Sequence, residues 1–195
     1  MLLFAHGSAE TAFTPGEVRE ALFSSLDRLG GRKRVLAIPP DFTRFHSHSG
    51  PLTRLVHAYF GERLTDILPA IGTHAPMTEA EIGRMFGDTP RGLFRVHDWR
   101  RGFTTLGEVP PDFVREVSGG QIDYGIPIQV DDLVAEGGHD LILSIGQIVP
   151  HEVIGMAGYN KNIFVGTGGA EGIHKTYFLG AVYGKDRRMG RRKTR

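Results

Sequence analysis

Several short segments of this sequence bring together residue types suited to acid–base and anion chemistry. Asp41-Phe42-Thr43-Arg44 sets a carboxylate, a hydroxyl and a guanidinium within four residues, and arginine grips a carboxylate or phosphate in a two-point fork. The plainer reading is a loop capped by Asp41, with Arg44 pairing locally. Gly72-Thr73-His74 supplies an imidazole, the side chain best placed to give and take a proton near neutral pH. It reads equally as an exposed loop histidine. Pro150-His151-Glu152 supplies a second imidazole. Gly155-Met156-Ala157-Gly158-Tyr159-Asn160-Lys161 is a glycine-rich loop ending in a lysine. Glycine lets backbone approach a ligand closely. The lysine is a phosphate contact, a nucleophile if its pKa is lowered, or a solvated residue on a flexible loop. Gly166-Thr167-Gly168-Gly169 precedes an expected helix whose N-terminus suits a phosphate. Glu171 replaces the last glycine of G-x-G-x-x-G, and the Walker ending is absent, so neither dinucleotide nor ATP binding follows.

The remaining histidines point elsewhere. His139 precedes its expected strand, at the wrong end of a sheet, and reads as structural. His46 and His48 form an H-x-H pair, but two ligands do not make a metal site. His57 lies in an apolar helical stretch and reads as half-buried.

These segments need a scaffold. Thr14-Pro15-Gly16-Glu17 has the form of a capped helix start, with the helix running to about Leu29. Lys33 to Ile38 reads as a short buried strand ending at Pro39-Pro40, and Leu52 to Phe60 repeats with a helical period. Thr65 to Ile71 is a second strand closed by Gly72, and Thr78 to Phe86 a helix with its own capping box and a Gly87 stop. Leu93 to Val96 and Phe113 to Val117 are expected as short strands, Ile126 to Val130 as extended, Asp131 to Ala135 as helical. Asp140 to Ile145 is the clearest buried strand, and a helix is expected near Glu171 to Leu179. Strands without polar alternation, interleaved with helices, predict an α/β fold: a mostly parallel sheet with helices on both faces, Rossmann-like. Ligands in such folds sit beyond the carboxyl ends of the strands. The clusters at 41–44, 72–74 and 147–151 fall there, so they are expected to form one site.

Composition narrows the classes. The chain has 195 residues, enough for one α/β domain with a real core. With no cysteine there is no disulfide framework, thiolate metal site or cysteine nucleophile, which fits a reducing, cytoplasmic setting. No apolar run reaches the roughly 18 residues of a membrane span. Seven of the 23 basic residues and one of the 22 acidic residues lie in 185–195, leaving 16 basic against 21 acidic in the body. An acidic body argues against nucleic acid as a partner. The expected organisation is an N-terminal extension and helix at 1–32, an α/β domain at 33–184 and a basic tail at 185–195.

In combination, four segments resemble the nickel-pincer lactate racemase family. They are Asp41-Phe42-Thr43-Arg44; Gly72-Thr73-His74-Ala75-Pro76-Met77-Thr78; Val96-His97-Asp98-Trp99; and Pro150-His151 through Gly158-Tyr159-Asn160-Lys161, with His151 ten residues before Lys161. The resemblance covers roughly residues 33–184. It implies a nickel-pincer nucleotide (pyridinium-3,5-bisthiocarboxylate mononucleotide nickel) tethered to Lys161, with Asp41, Thr43, Arg44, Gly166 and Gly168 also contacting the cofactor. His74 and His151 would alternate as base and acid while a hydride leaves and returns to the carbon of a small 2-hydroxy acid. The sequence departs from the family in two ways. The nickel histidine should lie sixteen residues after the lysine, where Tyr177 stands; His174, one turn earlier, is the expected substitute. The family also has a second domain, lacking here and possible to supply from a second chain. The implied activity is a 2-hydroxy-acid racemase or epimerase, or its cofactor-bearing half; the alternative is a non-catalytic binding domain for a small hydroxy acid or nucleotide.

Overall fold

Thr14 opens the first helix, α1 (Pro15–Asp27), through the anticipated capping box: its hydroxyl accepts from the Glu17 amide and Glu17 accepts from the Thr14 amide. The computed structural model describes residues 1–182; the expected basic tail lies outside the described residues. After α1 come β1 (Val35–Ile38), a 3-10 turn at Phe42–Ser47, α2 (Ser49–Phe60), β2 (Leu64–Ile67), α3 (Glu79–Phe86), β3 (Phe103–Val109) and α4 (Pro111–Val117). The chain continues through β4 (Ile126–Asp131), α5 (Asp132–Glu136), β5 (Leu141–Ser144), the two-residue strands β6 (Pro150–His151) and β7 (Gly155–Met156), α6 (Asn160–Phe164) and α7 (Ala170–Val182).

The main sheet is parallel, in the order β2-β1-β5, with β1 at its centre and fully buried. Its alternation fixes the two faces. Val35 and Ala37 pack with Leu26 of α1 and with Val56 and Phe60 of α2. Leu36 and Ile38 pack with Leu133 and Val134 of α5 and Ile163 of α6. Helices therefore cover both faces, as an α/β fold requires. A separate antiparallel ribbon, β3-β4, is backed by α4 and α7 through Val114, Val117, Ile126 and Leu179. Among the described residues no helix is long and apolar enough to cross a membrane.

Four expectations change. Phe113–Val117 is helical, because Pro111 starts α4 at its first position and Val114 and Val117 bury one helical face. Asp140–Ile145 forms β5, a half-buried edge strand, since it pairs on one side only. Leu93–Val96 gives a 3-10 turn at Arg91–Leu93 and a single bridge from Phe94 to Ile67. Gly155–Lys161 is not a free loop: it holds β7 and the first turn of α6. Strand β3 had no apolar run to mark it, being mostly exposed.

Candidate functional site

Each strand of the main sheet delivers one part of the site at its carboxyl end. Pro39-Pro40 carries the chain from β1 to Asp41, which is 5% exposed and caps the 3-10 turn. One Asp41 oxygen accepts from the Thr43 amide (3.1 Å) and the Thr43 hydroxyl. The other lies 2.6 Å from His74 Nδ1. A carboxylate accepts, so Nδ1 carries the proton and Nε2 is left as the exchanging nitrogen.

His74 is set by the turn after β2. Gly72 has φ +55° and donates to the Gly166 carbonyl at 2.8 Å, and the His74 amide donates to Ile71 at 2.9 Å. The third part follows β5. The Asn162 amide group donates to the Ile145 carbonyl (3.1 Å) and the Ser144 hydroxyl to the Tyr159 carbonyl (3.2 Å), pinning α6 against the strand end. Gly158 has φ +70°, and a Cβ there would lie 2.5 Å from the Gln147 carbonyl oxygen. Tyr159 also takes a left-handed φ of +53°, a costly conformation for a residue with a Cβ. This strained corner aims the first turn of α6, and Lys161 with it, inward.

Asp41, Thr43, Arg44, His74, Lys161 and Tyr177 line one cavity of about 60 Å³. Among the described residues neither Lys161 nor Arg44 has a side-chain hydrogen bond or an ion pair. Burial, and then the Arg44 charge, hold the Lys161 ammonium below its ordinary pKa. Burial, and then Glu152, push the Tyr177 phenol above its ordinary value, so it stays protonated at neutral pH.

The other expected residues fall around this cavity rather than in its wall. His151 is 3% exposed on β6; its Nδ1 accepts from the Val153 amide at 3.1 Å, and its ring meets the Tyr177 ring edge-on at 6.1 Å. Burial, then Lys161, lower its pKa. Glu152 lies 3.6 Å from the same Nδ1, which as an acceptor holds no proton for an ion pair while the ring is neutral. Gly166 and Gly168 serve close packing. A Cβ on Gly166 would meet the Asn162 carbonyl oxygen at 2.5 Å, and one on Gly168 the Phe164 carbonyl oxygen at 2.4 Å. His174 is exposed and stacks edge-on against Trp99 at 5.5 Å, so the substitute metal ligand stands outside the cavity wall and Tyr177 holds the inward position. Among the described residues no group of three or more His, Asp or Glu side chains could hold a metal ion. His139 is structural, its Nε2 lying 2.9 Å from Asp66.

The spacing gave no warning of one buried pair. His97 Nδ1 lies 2.7 Å from Asp131 and its Nε2 3.0 Å from the Gly168 carbonyl. It ties the turn before α7 to the ribbon, and only the two partners' meeting in three dimensions reveals it.

Residues 21–190 match the family model of the lactate racemase N-terminal domain. No curated protein matches the sequence. Among solved structures, a protein from Thermotoga maritima is 26% identical with a TM-score of 0.80, covering 93% of this chain and 44% of that one. The lactate racemase apoprotein from Thermoanaerobacterium thermosaccharolyticum is 26% identical with a TM-score of 0.58, covering 75% of this chain and 33% of that one. The chain thus spans less than half the length of either.

Proposed function

The chain belongs to the lactate racemase N-terminal domain family, and from that premise we propose that its cavity is the substrate and tether end of a 2-hydroxy-acid racemase or epimerase site. The observation that carries this reading is the convergence of an Asp41-held histidine with an arginine and a half-buried lysine, both unpaired among the described residues, on one small cavity. Arg44 takes the substrate carboxylate in a two-point fork. His74, with Nδ1 committed to Asp41, takes the hydroxyl proton at Nε2 and returns it.

The family-type cofactor fits this site at one end only. Lys161 offers a half-buried amine without a partner among the described residues, as a covalent tether needs. The metal end does not fit: Tyr177 occupies the place of the nickel histidine, and a phenol held protonated is a poor nickel ligand. The cofactor, when bound, would supply a hydride acceptor; no role is assigned to nickel. His151 is a second proton carrier in this reading, acting from behind the cavity wall beside Tyr177. The site holds one half of the chemistry.

A second reading, a binding domain for a small hydroxy acid without turnover, is favoured by the same Tyr177. One assay separates the two. The chain, co-expressed with the enzymes that make the cofactor, is given L-lactate and D-lactate is measured. Racemisation that falls about 10²–10⁴-fold in His74→Gln supports the enzyme. Lactate binding that needs Arg44, without racemisation, supports the binding domain.

A further inference from the structure

We infer that in the cofactor-free chain Lys161 is a carbonyl-reactive amine, which condenses with a small 2-oxo acid held at its carboxylate by Arg44. This rests on the small-acid reading of the cavity but not on tethering of the cofactor.

The amine is singular among the described lysines. Lys33 is exposed. Lys175 is committed, 2.7 Å from Glu171 and donating to the Gly125 carbonyl at 3.0 Å. Lys161 lines the cavity, has no such partner among the described residues, and is pressed toward its neutral form by burial and by Arg44. A desolvated lysine beside another cation is the usual form of an imine-forming nucleophile. Arg44 supplies both that cation and an unpaired fork for a carboxylate. The roughly 60 Å³ of cavity holds a few waters or an acid of about four to six heavy atoms. His74, oriented by Asp41, is at hand to move protons.

The chemistry balances without an oxidant or reductant. The Lys161 nitrogen adds to C2 of the oxo acid, and the C2 oxygen takes up a proton to give a carbinolamine. Loss of water then replaces the C=O bond with C=N, the two amine hydrogens leaving with the oxygen. His74 accepts and returns the protons in transit.

The test uses the full chain made without the cofactor pathway, pyruvate as probe, and cyanoborohydride, which adds hydride to C2 and fixes the imine as a secondary amine. Peptide mass mapping is expected to place one carboxyethyl group on Lys161 at a rate about tenfold or more above Lys33, saturating with pyruvate while Lys33 stays linear. Lys161→Met should remove it. Arg44→Gln should slow it about tenfold, the cost of a charge-assisted pair, and acetone, which has no carboxylate and feels only the Arg44 charge acting on the amine, should be slowed less than pyruvate. Labelling spread evenly over the lysines, a linear dependence at Lys161, or a rate untouched by Arg44→Gln would overturn the inference. Because the trap needs no cofactor, a missing imine leaves the tether standing, and a missing tether leaves the imine standing.

Discussion

A lysine in a cavity wall, as Lys161 is, costs stability, because burial disfavours its charged form. Lys161→Met keeps the stem and removes the amine, so it should raise stability by about 1 kcal/mol, read as a higher urea midpoint at neutral pH. A lower midpoint would mean that the amine has a stabilising partner. His151 gives the pH dependence. Its folded pKa lies below the unfolded value of about 6.5, so the unfolded chain binds the proton more readily. The stability tied to this group is complete above about pH 6.5 and is lost as pH falls through that value toward the folded one. The urea midpoint should therefore drop less between about pH 7.5 and 5.5 in His151→Gln than in the parent. Equal drops would place the acid sensitivity elsewhere. At this scale the sequence was informative about which residues meet at one cavity: Asp41, Arg44 and His74 were legible from strand-exit position and side-chain chemistry, and Lys161 from the glycine-rich stretch that ends on it. The fate of His174 was not, since one helical turn decides whether a side chain meets Lys161 or Trp99, and helix rotation is set by packing.

At the scale of elements, the loop that carries Asp41, Thr43 and Arg44 is held from beneath. Phe42 and Phe45 pack against Ile82, Met85 and Phe86 of α3. Helix α2 approaches α3 so closely that a Cβ on Gly50 would fall 2.0 Å from the Met85 carbonyl oxygen. Gly50→Ala must separate the two helices, and overpacking of this kind costs about 1–3 kcal/mol. It should lower the melting temperature and weaken lactate binding together, because the displaced helix α3 supports the 3-10 turn. Unchanged binding in a destabilised variant would uncouple the loop from α3. The capped helices α1 and α3 were legible from Thr14-x-x-Glu17 and Thr78-x-x-Glu81, whose reciprocal hydrogen bonds are local. Helix α4 and strand β3 were not. Three apolar residues in Phe113–Val117 suit either period, and β3 is held by its pairing with β4 rather than by a buried face.

At the scale of the whole molecule, the parallel sheet carries the site and the β3-β4 ribbon is fastened to it by His97. The ring, buried, faces a carboxylate at Asp131 and a carbonyl at Gly168. Removing the ring leaves buried polar groups short of a hydrogen-bond partner, which costs about 1–3 kcal/mol. His97→Gln should lower the melting temperature strongly although the residue touches no cavity atom; a small shift would show that the ribbon is held by its apolar contacts with α4 and α7 alone. With Lys161 as the proposed tether, intact-mass measurement of the chain after co-expression with the cofactor-making enzymes should give one covalent increment on the parent chain, mapped to Lys161 and absent from Lys161→Ala. An increment that persists unchanged in Lys161→Ala, or a parent chain that carries none, would contradict that proposal.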